Sequence, residues 1–141
     1  MAKILIPVDG SEPSLHAVNW VIEQIRAGAG HSISIINVQP EIMTGHARAF
    51  FKKEEVDAYM NDMAHEHLVS AERLLNEAGI PFEPIHRRGH APTVIAEVAK
   101  QGAFDQIVMG TRGLNRIGGL LLGSAATGVL HLVDIPVTLI K

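Results

Sequence analysis

From Gly110 the chain reads Gly-Thr-Arg-Gly, and nine residues then separate Gly113 from Gly123-Ser124, with Gly118 and Gly119 in between. Glycine has no Cβ, so it tolerates positive φ and lets backbone N–H groups converge on an anion. A helix N-terminus adds unpaired donors and the favourable end of a dipole, and the Ser124 hydroxyl stands at the same place. Two readings of the segment stand side by side: a loop that only needs its turns, and a cradle for phosphate.

Two familiar phosphate signatures fail on this sequence. Gly113 and Gly118 are separated by four residues, as in a P-loop, but Gly119-Leu120 stands where Lys and then Ser or Thr would follow. No Walker lysine reaches the phosphates. The first turn reads Asp9-Gly10-Ser11 and lacks the G-x-G-x-x-G fingerprint of dinucleotide sites.

Asp9 is the sharpest single polar residue, because a carboxylate at the end of a central strand is costly to bury without a partner. It either meets a ligand or caps the helix that follows. Other candidates carry less. His65 and His67 are two apart on a helix and face different directions, which argues against a metal site. His86 and His90 flank Arg87-Arg88, a basic patch that reads as a solvated loop before it reads as an anion dock. His131 has only Asp134 at helical spacing, a pair that complements a helix end. Met60 and Met63 read as core or interface. Phe50 and Phe51, in the polar loop from Glu41 to Glu55, fold back onto the domain or meet another subunit. No catalytic group and no protein metal ligand is predicted.

These residues need a frame. Ile4-Leu5-Ile6-Pro7-Val8 is apolar without alternation, as in a strand covered on both faces. Leu15, Val18, Ile22 and Ile25 form one stripe of a helix with Ser11 as its N-cap, ending near Gly28 and Gly30. Ile33 to Val38 reads as a second strand. A helix from about Val56 to Ala78 then turns Met60, Met63, Leu68, Ala71, Leu74 and Leu75 inward and ends at Gly79. Pro81 to His86 reads as a weaker strand, and Pro92 opens a helix through Lys100. Asp105 to Met109 is a fourth strand running into Gly110. A last helix from Ser124 carries Val129, Leu130 and Val133 inward, before Val137 to Ile140 forms the final strand.

Strict alternation of strands and helices predicts one α/β domain over residues 1–141: an open, five-stranded parallel sheet with helices on both faces and right-handed crossovers. In such sheets ligands bind beyond the carboxyl ends of the strands, where strand order reverses. The loops after strands one, two and four are the place for chemistry.

The chain's 141 residues, 47% of them hydrophobic, suffice for one core. Twelve basic residues against 15 acidic give a net charge of −3, so no global field draws the protein to nucleic acid or anionic lipid. Without cysteine it has no disulfide or thiolate chemistry and suits a reducing compartment. Met1 to Val8 is too short for a signal-peptide core or a bilayer span, which predicts a cytoplasmic protein with no membrane partner.

On these residues the chain resembles the universal stress protein family, in its ATP-binding branch. Ile4 to Ser11 resembles the family's first strand and turn, Gly110-x2-Gly113-x9-Gly123-Ser124 its nucleotide motif, and Pro136 with Val137 to Ile140 its terminal strand. The resemblance implies an adenine nucleotide alpha hydrolase-like sheet of order 3-2-1-4-5, which puts Pro7 in a central strand, read as ending its ladder near the ligand. It implies that Asp9 meets the ribose or phosphate region, that Pro7 and Val8 before it also belong to the nucleotide site, that the backbone around Val38 contacts adenine, and that Met109 and Gly110 line the ribose side. Gly113, Gly123, Ser124 and the Ala125 N–H would hold phosphates, with Arg112 adding charge. ATP, or else ADP or AMP, would be the ligand, with a magnesium or manganese ion bridging phosphate oxygens. A homodimer through Val137 to Ile140 is also implied. One departure stands out: Arg88-Gly89-His90-Ala91-Pro92 has one residue more than the family's Gly-x-Pro.

The function expected on this basis is a nucleotide-dependent regulatory or stress-response module. The alternatives are a slow ATPase or adenylyl- or phosphoryl-transfer enzyme, and a structural dimeric module that binds a partner and no nucleotide.

Overall fold

Ile4, Leu5 and Ile6 are each at most 1% exposed, as an apolar run buried on both faces demands. Their side chains alternate between two cores. Ile4 and Ile6 join Ile33, Ile35, Val108 and the first two helices, whereas Leu5 joins Ile36, Ile107, Met109 and the last two. A computed structural model describes residues 1–41, 52–111 and 123–141; Phe50, Phe51, Arg112, Gly113, Gly118 and Gly119 lie outside them.

The elements follow as β1 (Ala2–Pro7), α1 (Glu12–Arg26), β2 (His31–Gln39), α2 (Lys53–Glu77), β3 (Phe82–Arg88), α3 (Ala91–Gln101), β4 (Gln106–Gly110), α4 (Ser124–Leu132) and β5 (Val137–Ile140). All pairings are parallel, and the order is β3-β2-β1-β4-β5. Strand order therefore reverses between β1 and β4, the place where such sheets bind ligands.

Ser11 caps α1. Its side chain accepts from the Ser14 N–H, Pro13 occupies the first turn and Glu12 complements the dipole. Ser11→Ala is expected to cost about 1 kcal/mol, read as a lower urea midpoint at unchanged slope; an unchanged midpoint would show the cap to be idle.

Several sequence expectations need correction. Leu130 is 41% exposed, because the nine-residue α4 turns only Ala126 and Val129 fully inward and Leu130 stands one residue, about 100°, off that stripe. On α2, Ala64 takes a core place, while Met63 and Leu74 are half-buried at the margins. Pro7, by contrast, does end its ladder: it is the last residue of β1 and the last in register with β2, opposite Ile36, and the Val8 N–H closes that pair by donating to the Ile36 carbonyl at 2.8 Å. Because N–H groups alternate sides along a strand, the donor that Pro7 lacks faces β4, whose register with β1 stops at Leu5 and Ile107. Proline thus sits where the two central strands have already parted. The third strand runs two residues past its expected end, to Arg88, and its edge place accommodates Pro84.

Candidate functional site

A cleft opens where β1 and β4 part. Register partners in a parallel pair share a face, so Pro7 lies beside Ile36, and Val38 and Met109 belong to the same α3/α4-side core. These residues, with Ile95 of α3, make the cleft's apolar lining. Polar groups enter from the strand ends and helix starts: Asp9, Ser11 and Ser14 from β1–α1, and Gly123 with Ala125 at the start of α4. The space is about 620 Å³, counting its open mouth.

The structure brings together eight of the residues singled out from sequence: Pro7, Val8, Asp9 and Val38, then Met109, Gly110, Gly123 and Ala125. Ser124 begins α4 and is exposed beside the cleft. Arg112 and Gly113 lie outside the described residues.

The cleft's corner at Asp9 is built by local bonds. The Asp9 Oδ1 accepts from the Ser11 N–H at 2.9 Å and from the Ser11 hydroxyl, and Gly10 takes φ +81, a left-handed conformation that suits glycine. The carboxylate that organises the start of α1 also lines the cleft. The first glycine of the motif has a packing reason. A Cβ on Gly110 would lie 2.2 Å from the carbonyl oxygen of Pro13 and 2.3 Å from its carbon. The α1 N-terminus thus rests directly on the end of β4. Beyond it, the Thr111 N–H donates to the Ile140 carbonyl at 2.8 Å, tying the end of β4 to β5.

Sequence reasoning missed Ala91, Ile95 and Ala126, which close the apolar side; small and aliphatic residues on two helices carry no chemical signal. It also missed His67. Set aside as half of a poor metal pair, His67 instead meets Asn37 and Gln39 under the other face of the sheet. In the loop with one residue more than the family pattern, the Gly89 N–H donates to the Gln39 carbonyl at 2.9 Å, and the His90 Nδ1 lies 3.0 Å from the Thr93 hydroxyl.

The sequence model of the universal stress protein family matches residues 1–141. The chain belongs to that family. Among its curated relatives, universal stress protein MJ0531 of Methanocaldococcus jannaschii is 29% identical over 143 residues, spanning 99% of this chain and 81% of the relative. Among solved structures, hypothetical protein MJ0577 superposes with a TM-score of 0.81 at 24% identity, covering 99% of this chain and 95% of its own. The Arabidopsis thaliana family protein At3g01520, with AMP bound, superposes at 0.71 and 20% identity over 100% and 92%. A universal stress protein in complex with cAMP does so at 0.72 and 22% over 99% and 97%. At these identities the structural likenesses bear on the fold, and they share the universal stress protein sheet seen here. Among the described residues no helix is long and apolar enough to cross a membrane.

Proposed function

We propose that the cleft binds an adenine nucleotide, ATP first, and that occupancy regulates this universal stress protein's surface or stability in a stress response. The observation that carries the reading is the cleft itself: an apolar slot at the strand-order reversal, with a carboxylate at one side and the N-terminus of α4 at another. Adenine suits the slot made by Val38, Ile36 and Ile95. Ribose suits the Asp9, Met109 and Gly110 side, a carboxylate being an acceptor for hydroxyl donors. Phosphates suit the N–H groups of Gly123, Ser124 and Ala125, to which the helix itself gives no partner, and the motif would add Gly113 and Arg112. AMP and cAMP in two relatives of the same fold support an adenine nucleotide.

Among the described residues no three His, Asp or Glu side chains are grouped to hold a metal. A magnesium or manganese ion would be held by the phosphate oxygens and would neutralise their charge. A cytoplasmic place fits this ligand. β5 is the outer strand on its side of the sheet, and pairing Val137–Ile140 with the same strand of a second copy would cover that edge.

Calorimetry with Mg-ATP on nucleotide-free protein tests the reading. Saturable binding at about millimolar or lower concentration is expected, with competition by AMP and cAMP. No heat at that concentration would overturn it.

A further inference from the structure

Behind the cleft, on the α1/α2 side of the sheet, two buried amides converge on one imidazole. Asn37 is 1% exposed and Gln39 6%. The Asn37 Nδ2 donates to the Val8 carbonyl at 2.7 Å and lies 3.2 Å from the His67 Nδ1. The Gln39 Nε2 donates to the Asn37 Oδ1 at 2.7 Å and lies 3.0 Å from the same His67 nitrogen.

The chain of donors has one consistent solution. A backbone carbonyl only accepts, so the Asn37 amide must turn its NH2 to Val8. Its Oδ1 then faces Gln39, which must answer with NH2. Each NH2 has one hydrogen left, and both point at the His67 Nδ1, which must therefore be bare. The neutral ring with its proton on Nε2 is the form that can accept, its single Nδ1 lone pair being shared by the two amide donors. A proton on Nδ1 faces two donors, and flipping either amide sets oxygen against oxygen, at Val8 or at Asn37.

Val8 is where this reaches the cleft. In a trans peptide the C=O and N–H point opposite ways, so holding the Val8 carbonyl toward Asn37 turns the Asp9 N–H toward β4 and the cleft. Gly10, next in the chain, packs on His67: a Cβ there would stand 3.4 Å from the His67 Cα.

We propose that His67 is a positioning residue for the nucleotide corner. Its bare Nδ1 sets Asn37, Asn37 sets the Val8–Asp9 peptide, and loss of that acceptor weakens nucleotide binding. The inference rests on the cleft being a nucleotide site. Among the described residues, those sharing His67's face on α2, namely Met63, Ala64, Ser70 and Ala71, carry no charge. Past Gln39, β3 brings His86, Arg87 and Arg88 to a shared small cavity, with Arg88 paired to Asp57 at 2.7 Å.

The test is cAMP affinity by calorimetry for the natural protein, His67→Gln and His67→Ala. The glutamine oxygen can accept as the neutral ring does, and alanine offers no acceptor. His67→Ala is expected to lose about tenfold in affinity, the order of one hydrogen bond, while His67→Gln stays within about twofold of the natural protein. Nitrogen NMR of the free protein at about pH 8 is expected to show the His67 proton on Nε2 alone. An Nδ1-protonated ring, or no difference between the two variants, overturns the inference while leaving the cleft a nucleotide site. No binding in the natural protein removes both.

Discussion

Gly110→Ala is expected to destabilise the protein by about 3 kcal/mol, the upper range for forcing an extra carbon into a packed site, and to lower the melting temperature by about 10 °C. The new Cβ would stand 2.2 Å from the Pro13 carbonyl oxygen and 2.8 Å from the Ser14 nitrogen. Those atoms are backbone at the start of α1, so no side chain can rotate away, and relief requires the helix end to move off β4. Gly110 does not have positive φ, so the cost is purely one of space. Urea denaturation gives the measurement; a variant within about 0.5 kcal/mol of the parent, the range of a neutral surface change, would show that α1 is free to shift. Because Pro13 and Ser14 line the cleft with Asp9, the same movement opens the nucleotide corner, and affinity falls with stability.

That result bears on what the glycine motif could reveal. From spacing alone, Gly110 and Gly113 look like equals, each a place where ligand could touch backbone. The structure gives Gly110 a separate reason, the helix resting on its Cα, which exists whether or not anything is bound. Sequence pattern registers that a Cβ is forbidden and is silent on what forbids it.

The sheet was more open to reading. A run such as Ile4 to Val8, apolar at every position, has no solvated face, and with helices between such runs the parallel, doubly covered arrangement follows. Strand order came from resemblance, since periodicity says which face is buried and nothing about which strand is next. The misplaced boundaries have local causes. Leu130 fits an inward stripe by type, yet a short helix resting on α3 and the sheet has room for only Ala126 and Val129. His67 was hidden because its partners are 28 and 30 residues away in sequence, and polar residues on a strand otherwise filled with isoleucine read as exceptions instead of as a network. The signal was present in Asn37 and Gln39: two amides two apart on a buried strand share a face, and buried amides need partners.

Asp9 separates two placements of the nucleotide, and Asp9→Asn is the variant that does so. The asparagine oxygen can still accept from the Ser11 N–H, now at 2.9 Å, so the start of α1 is expected to hold, with stability changed by less than about 0.5 kcal/mol. The charge is removed, and the other carboxylate oxygen becomes an NH2 donor. If the carboxylate accepts from ribose hydroxyls, that loss weakens Mg-ATP binding by about tenfold, and Asp9→Ala, which removes the acceptor altogether, by about a hundredfold, following the 1.5–3 kcal/mol of a hydrogen bond to a charged group. If it instead sits against phosphates, removing a like charge tightens binding. The first outcome is expected, because the proposed placement sets the phosphates against the N-terminus of α4 at Gly123, whereas Asp9 stands at the end of β1, between the Val38 slot and β4. Tighter binding by Asp9→Asn, measured by calorimetry against the natural protein, would reverse the direction in which the nucleotide lies.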